Sequence, residues 1–323
     1  MLPSPDVLST RLKLKQLRLL VAIDDFGSLH RAADELALTQ PGATKALREI
    51  ESTFGNELFV RTSQGMVPNE LGRCVIRYAK LIQTDVTHLV EEMEGVLTGI
   101  GGRLAVGAIM GAVSGVLVDA VMRLRRKQPS LRTEITEDTS VRLLALVESG
   151  RLELALCRLS VARQPENFVY IPLRDEPLAI IAGPTHPLAR TPSLALTDLA
   201  DCGWIVYPSV MPLRSLLERE FKEAGLPFPA HPIETASMTA TMLLLQTDPN
   251  LVTLMPRDMS DFLIEHGLSI RLDIDVQSRT EPYGIVTRRG TSLSAAARLL
   301  IDELTNSAKG GEGRAQVTVF PAA

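Results

Sequence analysis

Apolar positions in the first hundred residues recur at helical spacing. Leu14, Leu17, Leu20 and Val21 mark an amphipathic helix from about Leu14 to Phe26, and Gly27 ends it. Ser28 is placed to cap a second helix whose packing face is Ala32, Ala33 and Leu36. Small alanines let two helices cross closely. Thr39 is a suitable cap for a third helix, and Pro41 is tolerated because it falls in the first turn. Within that helix Ala43, Leu47, Ile50 and Phe54 recur at intervals of four, three and four, so they form a buriable back. Gln40, Thr44 and Arg48 fall four apart on another face, with Lys45 beside them. Helix, short helix, turn and helix make a helix-turn-helix; the plainer alternative is a three-helix bundle with a polar surface. Beyond Gly55, the runs Leu58-Phe59-Val60 and Met66-Val67 flank the polar tip at residues 61–65, which predicts a β-hairpin wing.

From Asn69 to about Thr98 one stripe continues through Leu71, Val75, Tyr78, Ile82, Val86, Leu89, Met93 and Val96. A domain this small does not cover so long a stripe, so an antiparallel helix from a second subunit is the expected cover. Packing on the same chain is the alternative. Residues 98–102 then read as a flexible linker.

The remainder alternates. Strands are expected at Leu104–Ala108, Arg132–Thr136, Leu152–Cys157, Pro177–Ala182, Ile205–Tyr207, Leu251–Met255 and Tyr283–Thr287. Helices fall between them at Val113–Lys127, Val141–Glu148, Leu213–Ala224, Met238–Leu245, Arg257–Glu265 and Ser294–Leu304. The alternation predicts parallel sheets in an α/β fold. Chain crossings near Arg174–Pro177 and Ser278–Pro282 divide it into two lobes. The expected organisation is a winged helix-turn-helix over 1–68 and a linker or dimerisation helix over 69–98. An effector domain over 103–305 follows, with lobe one at 103–175 and 281–305 and lobe two at 176–280. The tail, 306–323, is expected to be disordered.

The chemistry follows from these placements. Gln suits adenine edges, Arg and Lys suit guanine, and Thr suits several bases or a phosphate, so the third helix carries an inventory for the major groove. The DNA-contact candidates are Ser28, Thr39, Gln40, Pro41, Thr44, Lys45, Arg48, Arg61 and Thr62. Ligands of open α/β sheets bind beyond the carboxyl ends of strands. That rule selects Gly111, Ala112, Thr139, Arg158, Pro208, Ser209, Met211 and Ser237 as effector contacts. Arg158 either pairs with a ligand carboxylate or forms an interlobe or surface salt bridge. Thr139, Ser140 and Ser237 contact a ligand or simply cap helices.

Bulk composition alters this picture only modestly. The net charge is −4, and residues 1–75 carry nine Lys/Arg against nine Asp/Glu, so cations must be placed rather than abundant. Cys74, Cys157 and Cys202 are odd in number and widely spaced, which fits a reducing compartment and small core positions. A redox-sensing thiol is the alternative reading. The N-terminus lacks an apolar signal region, and the longest charge-free apolar stretch, Leu104 to Val118, is short for a membrane span. No phosphate loop, dinucleotide fingerprint, nucleophile elbow or metal motif occurs. Ser114 sits one position late for an elbow. The five histidines, His30, His88, His186, His231 and His266, are scattered, so no metal or cofactor is expected.

The run from Leu20 to Gly72 resembles the winged helix-turn-helix of LysR-type transcriptional regulators. It does so through Gly27-Ser28, Arg31-Ala32-Ala33, Leu36, Gln40-Pro41, Thr44, Glu51, Gly55, Leu58-Phe59, Arg61, Glu70 and Gly72. Thr44 keeps the hydroxyl where the family usually has Ser, and Gly111 stands where many members have a hydroxyl residue, which would enlarge the cleft. The resemblance implies a two-lobed effector domain like a periplasmic binding protein, with the effector in the loops selected above. It implies a homodimer or homotetramer on an imperfect palindrome of double-stranded DNA, recruitment of RNA polymerase, and cytoplasmic location. The effector class it suggests is a sugar, sugar acid or aromatic-acid metabolite. A solute-binding protein or an enzyme built on the α/β region are the rival readings; the enzyme lacks a catalytic motif, and the solute-binding protein would need a secretion signal and leaves residues 1–98 without a purpose.

Overall fold

The computed structural model describes residues 3–63, 65–98 and 102–310. By packing it divides into two units, Met1–Arg103 with Glu148–Arg151, and Leu104–Val147 with Leu152–Ala323. Residues 99–101 of the expected linker, and 311–323 of the expected tail, lie outside the described residues.

The first unit contains α1 (Pro5–Arg11), α2 (Leu14–Phe26), α3 (Leu29–Glu35), α4 (Gln40–Phe54), the hairpin β1 (Phe59–Thr62) and β2 (Gly65–Pro68), and α5 (Glu70–Thr98). The caps follow the sequence. Ser28 Oγ accepts from Arg31 N at 3.5 Å, and Thr39 Oγ1 from Gly42 N at 3.2 Å. Gly27 and Gly55 close α2 and α4 with left-handed φ of 62° and 68°. One core joins Leu20, Ile23, Ala32, Ala33, Ala43, Ile50 and Leu58. The alanines let α3 approach α2 and α4. Leu14, expected on the packing face, is instead exposed. It is the first residue of α2, before Leu17 and Leu20 reach the core. The wing is tied back to the end of α2: Met66 N donates to Gly27 O at 2.8 Å. Gly65, at φ 125°, allows this approach, because a Cβ there would collide with the Gly27 carbonyl.

Lys80 Nζ reaches Asp24 Oδ2 at 2.7 Å and Asp25 Oδ1 at 3.2 Å, fixing the first half of α5 against α2. Farther along α5, nothing among the described residues of this unit covers the apolar stripe. Tyr78, Val86, Leu89, Val90, Met93 and Leu97 are all exposed. Cys74, expected in a core, is also exposed on α5.

The second unit opens with β3 (Arg103–Ala108), α6 (Met110–Ala112), a π-helical turn at Val113–Leu117 and α7 (Val118–Lys127). Then come β4 (Arg132–Glu137), α8 (Ser140–Glu148), β5 (Leu154–Cys157) and β6 (Phe168–Arg174). The chain crosses to β7 (Leu178–Ala182), β8 (Gly203–Val206), α9 (Pro212–Glu223), β9 (Ile233–Glu234) and α10 (Met238–Thr247). β10 (Leu251–Pro256), α11 (Arg257–Glu265) and β11 (Ile270–Arg271) complete that lobe, and β12 (Tyr283–Arg288) and α12 (Ala295–Gly310) return to the first. The sheet orders are β4-β3-β5-β12-β6 and β11-β7-β10-β8-β9. Leu104, Leu154, Leu156, Ile285 and Leu300 centre one core, and Trp204, Phe221, Val252 and Leu254 the other.

Two expectations need correction. The sheets are mixed rather than parallel: β12 runs antiparallel to β5 and β6, and β7 antiparallel to β10 and β11. Helical crossovers enforce parallel neighbours only inside a lobe, as in β3–β5 and β8–β10. Strands β7 and β12 arrive from the other lobe and escape that constraint. The expected tail also begins too early, because residues 306–310 continue α12.

Candidate nucleic-acid interface and effector cleft

In α4 the buried back is Ala43, Leu47, Ile50 and Phe54. The opposite side is a shallow open groove lined by Gln40, Pro41, Thr44, Lys45 and Arg48. Thr44 Oγ1 donates its proton to Gln40 O at 2.9 Å, so outward it presents lone pairs and a methyl group. No side-chain hydrogen bond or ion pair within the chain engages Gln40, Lys45 or Arg48 among the described residues, and their polar ends are free for a partner. Pro41 sits in the first turn, where its missing N–H costs nothing. Arg61 is exposed on β1, and Thr62 Oγ1 donates to Gly65 O at 3.2 Å, closing the wing tip. Ser28 and Thr39 serve as helix caps. Their hydroxyls hold the geometry of α3 and α4.

A second groove adjoins the first. It is lined by Arg11, Lys13, Gln16, Lys45, Arg48, Glu49, Ser52 and Thr53. The sequence reading missed Arg11 and Lys13 because α1 is too short to show a periodic stripe.

The strand-end rule gathers a different site in the second unit. Gly111 and Ala112 begin the helix after β3 and are buried. Met110 Sδ accepts from Tyr207 OH at 3.6 Å, and Met211 packs on the same cluster, so the loops after β3 and β8 meet. Ser209 is exposed and Pro208 half-buried at the same strand end. Thr139 N donates to Asp138 Oδ1 at 2.7 Å, and Ser140 Oγ accepts from Arg158 N at 3.2 Å. Ser237 caps α10, accepting from Ala240 N at 3.2 Å. Thr139, Arg158 and Ser140 are therefore neighbours, whereas Ser237 is occupied as a cap.

Arg158 is committed within the chain. Its guanidinium pairs with Glu176 and donates from Nε to Glu281 O at 2.9 Å. The two charged side chains are 12% and 4% exposed, so this is a buried interlobe pair. Burial pushes the Glu176 carboxyl up and outweighs the opposing pull of Arg158; Asp258 adds to the rise. Glu176 also corrects the expectation for Gly111. A Cβ at Gly111 would collide with the Glu176 carboxylate and lie 3.1 Å from Pro256 Cβ, so the missing side chain seats the ion pair rather than widening a cleft.

Nearby, Asp258 Oδ1 accepts from Arg174 Nη2 at 3.1 Å. Asp258 Oδ2, Tyr283 OH and Ser114 Oγ are buried with no hydrogen-bond partner among the described residues. Two of these surround Gly115 in the π-helical turn, where a Cβ would meet Asp258 and lie 3.2 Å from Tyr283 OH. Burial pushes both Tyr283 and Tyr207 well up; neighbouring carboxylates add to the rise at both, and Arg174 opposes it at Tyr283, so both phenols stay neutral donors. Glu176 and Asp258 end no strand, Tyr283 begins one, and Tyr207 counts only as the last residue of its strand, so the strand-end rule selects none of them. The only hint was charge at the predicted crossings. No described group of His, Cys, Asp or Glu could hold a metal. No described helix is long and apolar enough to cross a membrane.

Two family models match: the bacterial regulatory helix-turn-helix protein, lysR family, over residues 14–73, and the LysR substrate binding domain over residues 98–309. The HTH-type transcriptional regulator GbpR of Azospirillum brasilense is 32% identical over 94% of this chain and 88% of that protein. A small neutral protease regulatory protein of Streptomyces coelicolor is 34% identical over 88% of this chain and 93% of its own. Among solved structures, CbnR complexed with its target DNA has a TM-score of 0.60 at 17% identity, covering 92% of this chain and all of that one, which supports the fold.

Proposed function

The chain belongs to the LysR family of transcriptional regulators, with a helix-turn-helix and an effector-binding domain, and from that premise we propose how its own residues work. Helix α4 enters the major groove, where Gln40, Thr44, Lys45 and Arg48 read base edges, and the wing places Arg61 on a phosphate. The observation that carries this is the split of α4 into a buried apolar back and a front whose polar ends are unengaged. Selection from a randomised duplex library tests it: the full chain should enrich a palindromic motif, and enrichment of none refutes the reading.

The finer reading extends this. The exposed stripe of α5 pairs with a second copy, giving a dimer or a tetramer of dimers whose two-fold axis matches the palindrome. A small molecule of sugar, sugar-acid or aromatic-acid class occupies the interlobe region near Thr139, Ser209 and Met211. An acidic effector would reach Arg158 only by sharing it with Glu176. Such a ligand shifts the assembly by binding one lobe arrangement better than the other. The protein works in the cytoplasm, catalyses no reaction, and engages RNA polymerase at its promoters.

A further inference from the structure

We propose that α1 adds a phosphate clamp beside α4, in which Arg11 and Lys13 grip the backbone of the duplex whose bases α4 reads. The proposal rests on the DNA-binding reading above and extends its footprint. The helix-turn-helix match begins at residue 14, so α1 and Lys13 lie outside that module. The helix is nonetheless built into the unit. Ser4 caps it, and Leu8 and Leu12 pack against the core around Ile23 and Ile50. This anchoring brings Arg11, at the end of α1, and Lys13, just before α2, to one groove with Lys45 and Arg48.

Four cations line that groove against one carboxylate, Glu49. All four are exposed, and among the described residues none forms an ion pair or side-chain hydrogen bond. Cations so clustered repel one another, and Lys13 faces the positive end of α2, which disfavours it. Among the residues lining the groove only Glu49 carries charge against that repulsion, whereas a row of phosphates would offset it fully. Continuity fixes the partner: Lys45 and Arg48 line both grooves, so whatever lies along α4 passes Arg11 and Lys13. Residues 1–75 are charge-neutral only with Arg11 and Lys13 counted, so a few placed cations must supply the nonspecific grip.

The contact is with phosphates, so it carries affinity rather than sequence preference. Two extra contacts per subunit should steepen the salt dependence of binding by about 1.8 in log–log slope. The test uses the full chain, a duplex enriched from the randomised library, and a scrambled duplex of equal length, titrated by fluorescence anisotropy over a salt series. The Arg11→Ala/Lys13→Ala variant should show a slope shallower by about 1.8 per subunit. Its affinity should fall by a similar factor on both duplexes, leaving their ratio unchanged. The Arg11→Lys/Lys13→Arg variant should regain the wild-type slope, which separates charge from a folding defect. An unchanged slope in the alanine variant overturns the clamp while the α4 reading stands. A changed ratio between duplexes with an unchanged slope also overturns it. Failure of the wild-type chain to prefer the enriched duplex defeats the underlying reading instead.

Discussion

Replacing Leu89 and Met93 together by glutamate tests the role assigned to α5. The two side chains are 56% and 55% exposed in the single chain. Full burial of such a side chain is worth about 1.5–3 kcal/mol, so covering the exposed half recovers about 1 kcal/mol from each. A symmetric helix pair buries two from each subunit, or about 4 kcal/mol in all. Four carboxylates lose that contribution and add a desolvation penalty of several kcal/mol. The apolar loss alone raises the dissociation constant by about three decades. Sedimentation velocity at micromolar concentration should therefore find a monomer where the wild type is a dimer or larger. The recognition helix is untouched, so palindrome binding should collapse through lost pairing. An unchanged mass with the helical content preserved refutes the assignment of this stripe to a subunit interface.

Three further outcomes follow from the second unit and the cysteines. Arg158→Ala strands a buried carboxylate and should cost about 3–5 kcal/mol of stability by denaturant titration. Glu176 is already raised by burial, and losing Arg158 raises it further. A raised carboxyl favours the folded state below its ordinary titration range and loses that support as pH rises. The cost should thus be smaller at mildly acidic pH than near neutrality, and a pH-independent cost counts against the pair. Gly111→Ala should destabilise by about 1–3 kcal/mol through overpacking against Glu176, read from the thermal midpoint. Burial pushes the Cys157 thiol up to about 12, so its contribution is full below the ordinary thiol range and is lost as pH rises toward that value. Native alkylation followed by mass spectrometry should modify exposed Cys74 quickly and leave Cys157 unmodified.

The DNA-facing half of the molecule was legible because its signals are local. Ser28, Thr39, Pro41, Gly27 and Gly55 are caps and stops, and each acts within a turn of its own position. The periodicity of Ala43, Leu47, Ile50 and Phe54 fixed which side of α4 faces out. The effector half was legible only as elements. Strand β6 was missed because Phe168–Arg174 reads as the approach to a crossing, and its partner β12 lies over a hundred residues later. Arg158–Glu176 joins a strand end to a crossover segment, and Arg174 at the end of β6 pairs with Asp258 in α11. Such pairings are set by topology and leave no periodic trace. They also redirect Arg158 and Gly111 from open ligand contacts to a built ion pair.

The central claim is that the polar front of α4 reads bases. Quantitative gel shifts of Gln40→Ala against the enriched duplex and its single-base variants test it most directly. The account predicts a loss of about 1–3 kcal/mol on the enriched duplex and relaxed preference at one base position, with other positions unaffected. Unaltered affinity and an unaltered preference profile would contradict the placement of this helix in the major groove.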